Sequence, residues 1–492
     1  MRDKKIVCFL LGQAALVMTL AFLIPIIYAV LHERFLIARM FFVQANIAAM
    51  ISAAFFSFGR HHRKRIEVID SAVAMIIAWL PMAVLGALPF ITLNWIAPVN
   101  ALLESVSDLT AAGVGFLPGI APIELQLWQA ALMWQGSLMF VVVLVTLLPE
   151  VSGCFGMDLS LSQGQIFSPM FGQMNISARR VATVYSTLTL ISIALFKIAG
   201  LDGWSAIIMA MRCISTGGGD FIGGGNFLVE YAAAASMLLA CGNFLLYFRL
   251  WQTTTPAHLR DNLIANAKIF YLNSEVKFLS ALILIGTLLI SFTIFNKDFI
   301  LDGNLSFRLA LFHVISFVST TGMTTADIAQ APDFDRFFLF LLVAIGGCMG
   351  SVTGGLKVIR ILVLFKITAV EVSRSIHPNM MPSIKVNGAA VPMKVVGRIL
   401  SYFFLCALTL FVCSVVLSLS GQPFSTSVVM TLACLTNVGI MPGLCDSATF
   451  MNLPVIMKMF CALIFVVGRM EIFAFLIVVA SIKIRREKTH WR

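Results

Sequence analysis

Four glycine-containing loops carry the chemistry that this sequence offers. They read Thr110-Ala111-Ala112-Gly113, Ser215-Thr216-Gly217, Ser319-Thr320-Thr321-Gly322 and Asn437-Val438-Gly439. Each follows an apolar segment of about a dozen residues, too short to cross a bilayer as a helix; these segments are Asn100 to Leu109, Trp204 to Ile214, Ser306 to Val318 and Ser425 to Leu435. With Gly113, Gly217, Gly322 and Gly439 taken as the key positions, the spacings are 104, 105 and 117 residues. A near-constant period marks an internal repeat. Irregular backbone at membrane depth is tolerated only where it is buried in protein or lines a watery cavity, because an unpaired carbonyl in lipid costs several kcal/mol. Loops gathered around an axis meet that condition, and their carbonyls then replace the water shell of a dehydrated cation. Glycine lets the backbone turn its oxygen inward without an obstructing side chain. The Thr and Ser residues before the glycines add hydroxyl oxygens. One such loop alone would be an ordinary turn or a helix-packing site; four at one period argue for a filter.

Two further features bear on such a path. Gly346, Gly347, Gly350, Gly354 and Gly355 fall within ten residues, together with Ser351 and just before Lys357. At about 1 kcal/mol per glycine no helix survives there, so a flexible loop is expected. Gly350 and Gly355 have the spacing of a phosphate-binding loop, but Leu356 stands where its lysine must be. Arg469 and Glu471 interrupt an otherwise apolar final segment. An ionisable residue at such depth marks a functional site or a partner inside the bundle, and an Arg469–Glu471 ion pair is the structural alternative. His313 and the pair His61-His62 lack the arrangement that haem ligation needs and read as core or interface residues. Asp108, Asp220, Asp327 and Asp446 stand beside the loops, either concentrating cations at an outer mouth or as solvated loop carboxylates.

The elements that position these residues are membrane helices. The chain has 492 residues, 60% hydrophobic and 12% charged, about half the charged share that a soluble protein carries. The ten cysteines form no CxxC pair, so neither a zinc site nor a disulfide framework is suggested. Spanning candidates are Ile6 to Val30, Leu36 to Phe58, Ile69 to Phe90, Leu127 to Leu148, Val181 to Ala199, Phe227 to Leu250, Val276 to Phe295, Phe337 to Leu364, Val395 to Ser418 and Leu453 to Ile482. The first follows a basic start but has spanning length and no small-residue cleavage site, so it is expected to be retained. Of 34 Lys and Arg residues, 25 cluster at Arg2 to Lys5, Arg60 to Arg65, Arg179-Arg180, Arg249 to Lys277, Lys357 to Arg398 and Lys483 to Arg492. These are the expected cytoplasmic sides, with both termini inside. The net charge of +11 therefore needs no nucleic acid to explain it.

Ser319 to Asp327, Ser215 to Gly218 and Asn437-Val438-Gly439 resemble the filter loops of the Trk/Ktr superfamily of potassium transporters, and the two extra N-terminal helices are similar to those of its TrkH branch. The resemblance covers nearly the whole chain. The first loop departs from the pattern with Ala111-Ala112, and the fourth places Ile440-Met441 before Pro442-Gly443. The resemblance implies an all-α polytopic membrane protein with four pseudo-symmetric helix, pore-helix, filter and helix repeats around a central pore. The expected division is an accessory helix pair at 1–66 and repeats at 67–150, 151–250, 251–370 and 371–492. It further implies bound potassium at the loops, a gate at Gly346 to Gly355 with Lys357, and Arg469 facing the pore as a barrier to cations. Arg374 to Asn379 through Gly388 resembles the family's linker that faces a regulatory ring. A homodimer in the bacterial inner membrane, in contact with membrane lipid, and a cytosolic nucleotide-binding subunit of the TrkA kind complete what the family implies. The chain itself offers no nucleotide-binding fold. Transport rather than enzymatic activity is expected; a symporter coupling potassium to a proton or sodium is the alternative.

Overall fold

The computed structural model describes residues 4–59, 68–151, 174–244, 246–247, 271–296, 303–326, 328–377, 384–441, 443–472 and 475–476. Arg2, the Arg60 to Arg65 cluster with His61-His62, Arg249, Arg260, Lys268, Asp327, Pro378, Asn379, Pro442 and the basic stretch from Lys483 lie outside them.

The described chain is almost entirely helical. The first expected helix is two, Lys4–Ala21 and Leu23–Leu31, parted at Phe22. Pro25 explains the break, since it has no N–H to donate to the Ala21 carbonyl. Phe35–Gly59 runs back beside them, joined by Ser52 Oγ donating to Gly12 O at 2.9 Å. This group is anchored to the rest by Phe22 stacked 4.0 Å from Trp128, and by Arg34 paired with Glu124 at 3.0 Å.

A motif of long helix, short helix, loop and helix then recurs. Val68–Thr92, Pro98–Leu109 and Ile123–Val151 make the first set; Met174–Ile198, Gly203–Ser215 and Phe227–Cys241 the second. Ser274–Asn296, Gly303–Val318 and Asp333–Ile345 make the third, and Met393–Ser418, Phe424–Thr436 and Val455–Met470 the fourth. After Ile345 the chain leaves helical geometry until Val358–Ile376, as the glycine run predicts. A hairpin of strands Lys385–Val386 and Ala389–Ala390 connects the third set to the fourth.

Two predicted spans are interrupted. The helix from Phe227 breaks after Cys241, where Gly242 adopts extended backbone, and helical residues resume at Phe244. The final helix is interrupted after Met470, because Glu471 takes a positive φ of 60°, outside helical geometry; helical residues resume at Ile472, with Phe475 N donating to Glu471 O at 3.3 Å. Among the described residues five helical stretches are long and apolar enough to cross a membrane, the first taken across its break at Phe22: Val7–Leu31, Phe35–Gly59, Val181–Ile198, Ser274–Ile294 and Val395–Ser418. The last exposes Leu400, Phe404 and Phe411 on its outer face. In lipid such exposure carries no hydrophobic penalty, because the surrounding acyl chains are as apolar as the side chains.

Candidate functional site

Each short helix ends in the same backbone figure. One residue takes the left-handed state, with φ near 56° at Ala111, Thr216, Thr320 and Asn437. Two residues on, a glycine takes φ of 68° at Gly113, 67° at Gly218, 73° at Gly322 and 75° at Gly439. The geometry corrects the register read from the sequence: the second loop's counterpart of Gly113, Gly322 and Gly439 is Gly218, not Gly217. The helix end sets the phase. Ser215 is the last helical residue and Thr216 its left-handed cap, so the turning glycine falls one place later in the run of three. Gly217 then aligns with Ala112, Thr321 and Val438. Thr110, Ser215, Ser319 and Thr436 align at the first position, which is hydroxylated and buried in every loop.

The four loops touch in cyclic order. A Cβ placed on Gly113 would stand 2.0 Å from Gly217 O, one on Gly218 2.6 Å from Thr321 O, one on Gly322 3.3 Å from Val438 O, and one on Gly439 2.3 Å from Ala112 O. Each turning glycine thus abuts the carbonyl at the third position of the next loop, and the fourth closes on the first. The carbonyls also converge: the point beside Gly218 lies 2.6, 3.5 and 3.8 Å from the oxygens of Thr321, Ala112 and Val438. Four inward carbonyls can replace the hydration shell of a cation.

Side chains that the motif reading passed over hold the outer limbs. Val114 N donates to Ser107 Oγ at 2.8 Å, and Ser316 Oγ donates to Met323 O at 2.7 Å. His313 is a core residue as expected: Nε2 accepts from Thr325 N at 3.4 Å, which leaves the Nδ1 proton to Leu309 O at 2.8 Å. Buried Arg212 spans from Asp220 O at 3.0 Å to Gln129 Oε1 at 2.8 Å. Gln129 in turn donates to Glu104 Oε1 at 2.7 Å, whose Oε2 accepts Phe116 N at 3.2 Å. Asp108 has no exposure beside this network, which removes it from any outer mouth; Asp220 and Asp446 are exposed.

The glycine loop lies directly against this ring. Gly354 N donates to Thr320 Oγ1 at 2.9 Å, and a Cβ on Gly354 would stand 1.9 Å from Thr436 O, so only glycine fits there. Within the loop, Gly347 N donates to Thr353 Oγ1 at 3.2 Å and Ser351 Oγ to Cys348 O at 2.6 Å. Gly346 and Gly355 pack backbone to backbone, with 3.0 Å from a Cβ on Gly355 to Gly346 Cα. Lys357, counted above with the cytoplasmic cations, is buried and donates to the Thr353 carbonyl, with the Thr353 hydroxyl 3.2 Å away.

Arg469 is 2% exposed. Its Nη1 donates to Val352 O in the glycine loop at 2.9 Å, and its Nη2 to Ser137 Oγ at 2.6 Å. Ser137 Oγ donates onward to Ser215 O at 2.9 Å, so one guanidinium connects the loop with the second filter segment. The guanidinium also lies over Phe140, 4.5 Å from the ring centroid. Glu471 does not pair with Arg469. It binds Arg360 at 2.7 Å, and Arg360, another residue counted as a cytoplasmic cation, is 2% exposed and lies 4.1 Å over Tyr402. Glu471 leaves helical geometry at φ of 60° and pairs with Arg360, while Arg469 meets the loop.

A multi-pass helical membrane protein that brings backbone carbonyls from four loops together offers a cation oxygens like those of its water shell. Residues 38–490 match the TrkH family, described as cation transport protein, and the chain belongs to that family. It is a transporter, not an enzyme. It is 27% identical over 480 residues to the Trk system potassium uptake protein TrkH of Halomonas elongata, covering 94% of this chain and 96% of that one. Against the protein of the same name from Escherichia coli the identity is 29% over 453 residues, covering 89% of each. The crystal structure of the potassium transporter TrkH from Vibrio parahaemolyticus superposes with a TM-score of 0.84 at 26% identity, covering 97% of this chain and 98% of that chain.

Proposed function

We propose that this chain takes up potassium through a pore formed by four pseudo-symmetric repeats, with the third-position carbonyls of Ala112, Gly217, Thr321 and Val438 as the selective ring. The observation that carries the reading is the cyclic order of glycine-to-carbonyl contacts, 113 to 217, 218 to 321, 322 to 438 and 439 to 112. Thr110, Ser215, Thr216, Ser319 and Thr320 add hydroxyls around it. The loop Gly346 to Gly355, with Arg469 on it, is the barrier below the ring. Its flexibility comes from glycine, and its charge opposes a partly dehydrated cation.

The wider organisation follows the family: an accessory pair at 1–66, repeats at 67–150, 151–250, 251–370 and 371–492, a homodimer in the bacterial cytoplasmic membrane, both termini inside, and a nucleotide-binding cytosolic subunit that moves the barrier. The test is rubidium and sodium flux into liposomes holding the purified protein, with and without an imposed pH or sodium gradient. Rubidium flux that exceeds sodium and follows its own electrochemical gradient supports the pore. Strict dependence on a proton or sodium gradient sinks it in favour of a symporter.

A further inference from the structure

The glycine loop is also held from a side that Arg469 does not reach. Glu275, the second residue of helix Ser274–Asn296, has no exposure. Its Oε1 accepts from the Met349 amide, and its Oε2 accepts from Asn243 Nδ2 at 3.4 Å. A carboxylate in such a place is costly unless hydrogen bonds replace its water, and the loop amide is one of those bonds. Two backbone bonds hold the same stretch of loop: Cys348 N donates to Cys241 O at 3.0 Å, and Phe244 N donates to Gly350 O at 3.4 Å.

Glu275 is seated in turn by the start of its helix. Its own amide donates to Asn273 Oδ1 at 2.9 Å. The Ser274 amide donates to Asn387 Oδ1 at 2.7 Å, at the tip of the hairpin Lys385–Ala390. That tip is an Asn387-Gly388 turn with φ of 50° and 84°, the preset geometry of a tight hairpin, which bends little under load. Lys366 Nζ donates to Lys385 O at 2.6 Å, and so ties the hairpin to helix Val358–Ile376, which begins where the glycine loop ends. The loop is therefore gripped at both ends by elements that meet at an exposed turn.

We propose that Glu275 is the positioning residue that latches the glycine loop under the filter, and that the hairpin tip, through Asn387, sets where the latch sits. A displacement of the hairpin is transmitted through Ser274 and Glu275 to Met349. The consequence for conduction rests on the reading of the loop as the barrier.

The experiment is hydrogen–deuterium exchange of residues 346–357 in the purified full-length chain, with rubidium uptake measured on the same preparations. Glu275→Ala is expected to speed loop exchange roughly tenfold or more, the loss expected for a hydrogen bond to a charged group, and to raise uptake per folded protein. Glu275→Gln keeps an acceptor oxygen and returns most of the protection. Asn387→Gly, which preserves the turn, speeds exchange at 273–277 and, less strongly, in the loop. Unchanged loop exchange in folded Glu275→Ala overturns the latch; if that variant does not fold, the same result in Glu275→Asp, whose carboxylate is one methylene short, overturns it. Loop protection untouched by Asn387→Gly overturns the part given to the hairpin. Faster exchange with unchanged uptake keeps the latch and removes the loop as the barrier.

Discussion

Arg469 and Val352 are 117 residues apart in the chain and 2.9 Å apart in space, the guanidinium Nη1 donating to the loop carbonyl. The side chain therefore adds a positive charge to the glycine loop and holds it in place, and on the proposed reading of that loop as the barrier below the carbonyl ring, a conducted cation meets that charge. At about 4 Å and an effective dielectric near 20, repulsion of a passing cation amounts to about 4 kcal/mol. Arg469→Ala is expected to raise basal rubidium uptake per folded protein, as is deletion of Ser351 to Gly354. On the proposed reading both act on one barrier, so the double change should give less than the product of the two. Equal or reduced uptake in well-folded Arg469→Ala would take the arginine out of the gate.

The one-residue register shift in the second loop separates two neighbouring glycines. Gly218 has φ of 67° and a carbonyl in the way of any Cβ, whereas Gly217 carries no positive φ, and a Cβ there crowds Met133 Sδ, Cγ and Cβ at 2.5–2.9 Å rather than a filter carbonyl. Gly218→Ala should lower the rubidium-to-sodium permeability ratio strongly, by strain of about 1–3 kcal/mol and displacement of Thr321 O. Gly217→Ala should lower it less. The reverse order, read from reversal potentials or paired flux measurements, would restore the register that the sequence suggested.

Arg360 and Glu471 form a buried pair at 2.7 Å. Removing one partner leaves an uncompensated buried charge, at a cost of about 3–5 kcal/mol. Glu471→Ala and Arg360→Ala should each lower the melting temperature in detergent, while Arg360→Leu combined with Glu471→Leu recovers much of it. Because Arg469 has its own partners, the double variant should keep low basal uptake. Leak in that variant would mean that the pair, rather than the arginine two residues earlier, holds the barrier shut.

Arg212 uses two arms of a planar fork, one on Asp220 O and one on Gln129 Oε1. A lysine cannot reach both with that geometry. Arg212→Lys is therefore expected to destabilise the protein nearly as much as Arg212→Met, by about 3 kcal/mol or more, with loss of rubidium preference in whatever folds. Full retention of both properties in Arg212→Lys would show that the charge alone matters.

Much of this was legible in the sequence, and the exceptions have physical causes. The short helices stand out because an apolar run of a dozen residues before a glycine loop fits no spanning element, and the expected bounds Trp204 to Ile214 fall within one residue of the observed Gly203–Ser215. The glycine loop was visible because five glycines in ten residues exclude a helix. The phase of the second loop was hidden, because Gly217, Gly218 and Gly219 are interchangeable by composition and only the helix end distinguishes them. Local spacing leaves the partner of Arg469 open, since Glu471 is its neighbour in sequence, while the family resemblance sets Arg469 against the loop; a positive-φ residue at the helix end gives Glu471 a different partner. Arg360 reads as a surface cation from charge clustering, which registers position along the chain and not the side of the helix that a residue occupies; Lys357 falls in the same cluster, although its place at the end of the glycine run also counts it with the gate. Glu104, Gln129 and Arg212 belong to no motif, and long-range side-chain contacts of this kind leave no trace in local spacing.

The cyclic contacts place Gly113 against the second loop, Gly218 against the third, Gly322 against the fourth and Gly439 against the first. A channel assembled from four copies of one gene changes every quarter of its ring whenever it changes any. Here the quarters are encoded separately, so a single codon edits one seat and leaves three as they were. The alanine pair of the first loop, the glycine run of the second, the threonines of the third and the Asn437-Val438 of the fourth are four independent settings of one aperture. Each glycine, however, bears on its neighbour's carbonyl rather than its own. A fault introduced in one quarter is therefore felt first in the next, and mutational scans of this ring should be read one loop ahead of the residue changed.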